Sequence, residues 1–235
     1  RDARRDRRGP GGVSHLLLRS SSCSAVATEG DKEVTETLPG IGSFVFRAGG
    51  FFQCNPSILP ALVEYVLVEA AANLRSGVWC DTPPRALVDV CCGVGLFAIA
   101  AGPSFRQVIG IELEASAVEL ARRNAAANGV RNAEFLAADA GAGLKRLAAQ
   151  GRLPDASRAV VVVDPPRQGL SQGARDALVR FRPARIVYVS CNCGTQARDL
   201  QDLVAAGYGL RGVAPFDLFP QTRHVETVVT LDLGA

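Results

Sequence analysis

From residue 85 onward, short runs of β-branched and aliphatic residues alternate with longer stretches rich in Ala, Leu and Arg. ALVDVCC at 86–92, RQVIGIE at 106–112, NAEFLAAD at 132–139, AVVVVDPP at 159–166 and RIVYVSC at 185–191 have the length and composition of strands. The segments between them have the length of helices. Strand, helix, strand in repeated order predicts an α/β protein with a mostly parallel sheet and helices on both faces. The final stretch, GLRGVAPFDLFPQTRHVETVVTLDL, breaks that rhythm and reads as two consecutive strands that pair antiparallel and close the sheet.

Upstream the pattern differs. RDARRDRRGPGG at 1–12 has no apolar period and predicts a solvated, disordered tail. VSHLLLRS and SFVFRAGG flank a Ser/Thr/Glu-rich stretch, so 13–54 reads as the remnant of a β-rich module. Asn55-Pro56 offers a cap and first turn, apolar residues follow to Arg75, and Gly77 offers a stop, which predicts a buried connecting helix. The main unit is therefore expected over 55–235.

At 235 residues and 48% hydrophobic, the chain can bury a full core, and disordered, collagen, coiled-coil and mucin classes are excluded. It contains no methionine, so the expectation is an internal or C-terminal piece of a longer protein. The first eight residues hold five Arg and two Asp, which accounts for the whole net charge of +3. A nucleic-acid footprint must then come from local clusters of arginine. No apolar run approaches the roughly 20 residues that cross a bilayer, so a soluble protein with no membrane partner is expected. Seven cysteines at 23, 54, 80, 91, 92, 191 and 193 contain no paired C-x-x-C elements, so no structural metal is expected. Reduced thiols in an intracellular protein are the better reading, and a monomer is the expected state.

In an open α/β sheet, ligands bind beyond the carboxyl ends of the strands. The first such end runs through Gly93 and Gly95 into a helix, where glycines let a ligand approach the backbone and the helix start offers free N–H groups. Seventeen residues after Gly95, Glu112 ends the next strand, where a carboxylate can accept both ribose hydroxyls. The pair points to a nucleoside cofactor. A nicotinamide dinucleotide fits less well, because a third glycine is missing and the final antiparallel pair is foreign to that fold. Asp139 ends the third strand, and either meets an adenine edge or caps the following helix. Asp164 opens an Asp-Pro-Pro-Arg turn ending in Arg167, a rigid platform suited to a planar substrate or the reactive end of a cofactor.

Cys191 ends the fifth strand. A cysteine there is commonly a small buried hydrophobe, but His224 and Glu226 follow with period 2 and are expected on one strand face, where a carboxylate base would complement a thiolate nucleophile. A surface salt bridge is the alternative use of Glu226.

Six ordered motifs, FFQCN at 51–55, DVCCGVGLF at 89–97, the Glu112 strand end, DPPRQGL at 164–170, YVSCN at 188–192 and DLFPQTRHVE at 217–226, closely resemble the RNA uracil-5-methyltransferases of the TrmA/RumA type over roughly 38–235. The resemblance implies a Rossmann-like class I methyltransferase with a seven-stranded sheet. It further implies S-adenosyl-L-methionine as cofactor and carbon 5 of a uridine in RNA, tRNA before rRNA, as the methyl acceptor. It makes Cys191 the nucleophile, Glu226 the base, and Gln53, Glu112 and Asp164 cofactor ligands, with the loop from Cys91 through Gly93 to Gly95 lining that pocket. Phe51, Phe52 and Arg167 are candidates to hold the RNA. Three departures stand out: Cys91 replaces a common aromatic residue, Cys193 replaces a proline, and the family's N-terminal RNA-binding barrel and iron–sulfur cysteines are not in this sequence. Choice of RNA is therefore expected to reside outside it. The competing readings are a nitrogen-directed methyltransferase, in which an aromatic residue would stand at Arg167, and a non-catalytic RNA-binding or RNA-folding module.

Overall fold

The computed structural model describes residues 17–20, 23–28, 33–53, 55–76, 80–82 and 85–234. The tail expected over 1–12 lies outside them. Three antiparallel hairpins come from the first part of the chain: β1 (Leu17–Ser20) with β2 (Cys23–Thr28), β3 (Glu33–Leu38) with β4 (Gly42–Arg47), and, after helix α1 (Leu59–Ala71), β5 (Leu74–Ser76) with β6 (Cys80–Thr82).

The alternating segments then follow in order as β7 (Ala86–Val90), α2 (Leu96–Ala101), β8 (Gln107–Glu112), α3 (Ala115–Ala127), β9 (Ala133–Ala137) and α4 (Ala140–Ala149). They continue through β10 (Ala159–Val163), α5 (Gln172–Phe181), β11 (Arg185–Ser190), α6 (Cys193–Ala205), β12 (Tyr208–Phe216) and β13 (Glu226–Leu233). One seven-stranded sheet has the order β12-β13-β11-β10-β7-β8-β9, parallel from β11 to β9, with β13 antiparallel to both of its neighbours.

Strand periodicity sorts the core into two layers. Leu87, Val160, Val162, Val187 and Val189 join α1, α2 and α3 on one face, while Val88, Val90, Val161, Val163, Ile186 and Tyr188 join α4, α5 and α6 on the other. Burial on both faces explains why the central strands read as continuous apolar runs.

The helix expected from Asn55 to Arg75 is shorter. Asn55 instead closes a turn: its carbonyl accepts from Ile58 and Leu59 N–H, and its side chain accepts from Ser57 N–H. The physical reason is Pro60, which has no N–H to donate within a helix begun at 55 but is at home in the first turn of one begun at Leu59. The C-terminal end stops at Ala71, because Leu74–Ser76 pairs with β6.

His224 and Glu226 do not share a strand. The segment before β13 is a turn in which Thr222 Oγ1 donates to the Phe219 carbonyl and accepts from His224 N–H, so His224 packs edge-on to Phe219 and only Glu226 enters the strand. Among the described residues, no helix is long and apolar enough to cross a membrane.

Candidate active site

The carboxyl edge of the parallel strands opens into a cavity of about 1080 Å³. Its walls come from the segment after β4, the turns after β7, β8, β9 and β10, and the ends of β11 and β13. The β3–β4 hairpin reaches it because buried Asn124 on α3 grips Val45 at both N–H and carbonyl, and donates as well to the carbonyl of Val94 in the turn after β7. Chain leaving β4 is thereby carried across the cavity as Phe51, Phe52 and Gln53.

Glu112 organises the glycine turn: one carboxylate oxygen accepts from Gly93 N–H at 3.0 Å, the other from Glu114 N–H at 2.9 Å. Gly93 lines the cavity with φ +54°, and nothing stands within 4 Å of where a Cβ would be, so a ligand can approach its backbone. Gly95 behaves differently. It is buried at the start of α2 with φ +93°, and a Cβ there would meet Ile99 at 2.9 Å and Ala121 and Phe135 at 3.3 Å. It serves helix packing and does not line the cavity.

Gln53 donates to Asp164 Oδ2 at 3.0 Å. Burial pushes Asp164 up to about 7, against the opposing pull of that hydrogen bond. Asp139 caps α4, accepting from Gly141 and Ala142 N–H through one oxygen, and it also lines the cavity. Cys91 is held in the left-handed region at φ 63°, and burial followed by the nearby Glu112 and Asp164 pushes its thiol up to about 12. A thiol so held stays protonated and packs.

Cys191 is different. Burial and then the Glu226 carboxylate raise its thiol, while the Arg167 guanidinium works in the opposite direction. Glu226 is 1% exposed and lines the cavity, its Oε1 has no hydrogen-bond partner, and burial and then Asp164 push it up to about 8. An unpartnered buried carboxylate facing a cavity is poised to take a proton.

Of the aromatic candidates, Phe52 is stacked on Phe46 at 4.6 Å between ring centroids and belongs to the core edge, whereas Phe51 is 75% exposed at the cavity wall. His224 and exposed Cys193 do not line the cavity. Buried Asp89 and Asp199 escaped the sequence reading. Asp89 accepts from Ala98 N–H at the start of α2, and burial pushes it up to about 8. Asp199 is a hub on α6, and its signal was visible: Gln196, Asp199 and Leu203 share the buried helix face at spacings of three and four.

A family model described as tRNA (Uracil-5-)-methyltransferase matches residues 43–233. The chain belongs to this family. It is 39% identical over 224 residues to the tRNA (uracil(54)-C(5))-methyltransferase of Schizosaccharomyces pombe, covering 92% of this chain and 41% of that one. It is 45% identical over 203 residues to an uncharacterized RNA methyltransferase of Gloeobacter violaceus, covering 86% and 40%. The crystal structure of Pyrococcus abyssi tRNA (uracil-54, C5)-methyltransferase with S-adenosyl-L-homocysteine superposes with a TM-score of 0.70 at 30% identity, covering 92% of this chain and 50% of that one. The fold is that of class I methyltransferases. The chain spans less than half the length of these two sequence relatives.

Proposed function

We propose that this chain carries the catalytic unit, 55–235 together with the cavity-lining segment 51–53 before it, of an S-adenosylmethionine-dependent methyltransferase acting on carbon 5 of a uridine in tRNA. The observation that carries the reading is the pair of Cys191 and Glu226 in one cavity, with Arg167 on the same wall and the carboxyl group of Glu226 keeping a buried oxygen without a hydrogen bond. The names of the yeast and archaeal relatives favour tRNA over rRNA.

The donor set fits the cofactor. An open backbone approach at Gly93 and the carboxylates of Glu112, Asp139 and Asp164 suit a cationic nucleoside, and Gln53 and Cys91 complete the surround. S-adenosylmethionine, when bound, supplies an electrophilic methyl group. This chain's own work is to make carbon 5 a nucleophile. Cys191 Sγ adds to carbon 6, the 5,6 double bond opens, and its electron pair moves onto carbon 5 and the adjoining carbonyl as an enolate. Once carbon 5 is methylated, Glu226 removes its proton. That C–H pair restores the double bond as the C6–S bond breaks and returns the thiolate. Arg167 holds the thiolate against burial and the Glu226 charge, and Phe51 offers a stacking face to the uracil or a neighbouring base.

Incubating the protein with methyl-labelled cofactor and unmodified tRNA, followed by nucleoside analysis, tests the reading. Labelled 5-methyluridine, absent with Cys191→Ala, is expected; label on a ring or exocyclic nitrogen would overturn it.

A further inference from the structure

Arg167 lies in Pro165–Leu170, a segment with no helix or strand of its own, and the carbonyls of Arg167, Gln168 and Leu170 and the N–H of Leu170 are held by side chains of α5, of α6 and of Asn192, the cap of α6. The Arg167 carbonyl accepts from Asn192 Nδ2 at 3.2 Å and Thr195 Oγ1 at 3.0 Å, and the Gln168 carbonyl accepts from Arg198 Nη2 at 2.9 Å. Arg175 Nη1 donates to the Leu170 carbonyl at 2.6 Å. Leu170 N–H in turn donates to Asp199 Oδ2 at 2.7 Å.

Asp199 ties these contacts together. Its side chain is fully buried and accepts from Leu170 N–H, Tyr188 Oη at 2.7 Å, Arg175 Nη1 at 3.0 Å, and Arg198 Nε and Nη2 at 2.9 and 2.7 Å. One carboxylate thus joins the loop, the strand that ends before Cys191, and the two arginines that hold the loop's carbonyls. The packing is close enough that a Cβ at Gly169 would stand 2.5 Å from Asp199 Oδ2. A carboxylate that is desolvated, doubly paired and hydrogen-bonded throughout locks its partners to one arrangement.

We propose that Asp199 is the positioning residue that fixes Arg167 against Cys191, by locking the 165–170 loop onto α6, the helix that begins two residues after Cys191. This rests on Cys191 being the nucleophile. Arg167 and Cys191 line the same cavity, and the Arg167 carbonyl is held by Asn192, the residue next to Cys191; of the charged groups that bear on the sulfur, Glu226 from β13 and Asp164 raise the thiol and Arg167 lowers it. Releasing the loop removes the one favourable charge and leaves the two unfavourable ones in place.

The test is the pH profile of Cys191 alkylation by iodoacetamide, read by peptide mass spectrometry, in the wild-type chain and in Asp199→Asn. The variant should shift the Cys191 midpoint upward and leave the exposed Cys193 unchanged, with kcat for tRNA methylation down about tenfold or more, as misplacement by a fraction of an ångström predicts. If Asp199→Asn does not fold, Arg198→Met, at a half-exposed position, frees the Gln168 carbonyl and one cation and should shift Cys191 in the same direction by less. Unchanged profiles and turnover in the folded variants would overturn the proposal. Failure of the underlying reading looks different: the wild-type chain itself would then form no adduct with RNA containing 5-fluorouridine.

Discussion

The register of β11 and β13 ends at the pair Ser190 with Thr227, so Cys191, just after β11, and Glu226, the first residue of β13, occupy the next opposed positions, and both line the cavity. Opposed residues in such a ladder have Cβ atoms about 4.5–5.5 Å apart. A planar pyrimidine entering from the cavity can therefore offer carbon 6 to one side chain and carbon 5 to the other. The closing antiparallel strand brings Glu226 to the edge of the sheet that holds Cys191.

Replacing Glu226 by Gln is expected to reduce turnover by about 10²- to 10⁴-fold, the ordinary worth of a positioned base. Addition by Cys191 is untouched, so covalent protein–RNA complex should accumulate and be visible on a denaturing gel. In the wild type, the rate should climb as pH rises through about 8, where the Glu226 carboxyl loses its proton. A rate that falls over that range contradicts the assignment.

The same burial sets a stability profile. Folded Asp89, Asp164 and Glu226 keep their protons up to about 8, about 7 and about 8, whereas the unfolded chain releases them near pH 4. Between those limits the folded state binds more protons than the unfolded one, so stability falls as pH rises. The melting temperature of the ligand-free protein should decline from about pH 5 to about pH 8. Glu226→Gln should melt above the wild type at the upper end, with the gap closing toward the lower; calorimetry showing a midpoint that rises over this window would refute the account.

The two glycines of the first turn should separate when each is changed to Ala. Gly95→Ala forces a Cβ onto Ile99, Ala121 and Phe135 in a left-handed backbone, and should cost stability by ~2–4 kcal/mol in urea unfolding. Gly93→Ala meets open space, and should cost about 1 kcal/mol of stability from backbone strain. Its larger effect should be on cofactor affinity measured by calorimetry, because the new methyl group enters the cavity.

Much of this was legible in the sequence. The apolar runs at 160–163 and 186–189 read as strands, and the motifs at their ends named Asp164, Arg167 and Cys191. What was hidden depends on tertiary contact. Asn124 is a polar residue on a helix face, ordinary until the chain brings Val94 to it, and the spacing of Gln196, Asp199 and Leu203 marks a buried face without telling that Leu170 meets it. The period-2 reading of His224 and Glu226 failed because local turn bonds at Thr222 outrank strand pairing there. Gly95 was read as a ligand contact because a glycine needed for packing looks the same in sequence as one needed for approach.

Phe51→Ala should leave stability within about 0.5 kcal/mol, since the ring is exposed. It should weaken tRNA binding by about 5- to 150-fold if the ring stacks on a base. Filter binding with unmodified tRNA measures this, and unchanged affinity would remove Phe51 from the RNA surface.

The most direct measurement is a denaturing gel of the protein with S-adenosylmethionine and tRNA carrying 5-fluorouridine. Fluorine on carbon 5 cannot leave as a proton, so the reaction should stop with Cys191 bound to carbon 6 and a slow-migrating band should form, absent in Cys191→Ala. A band that persists in Cys191→Ala, or methyl transfer to ordinary tRNA with no band at all, would contradict the covalent mechanism.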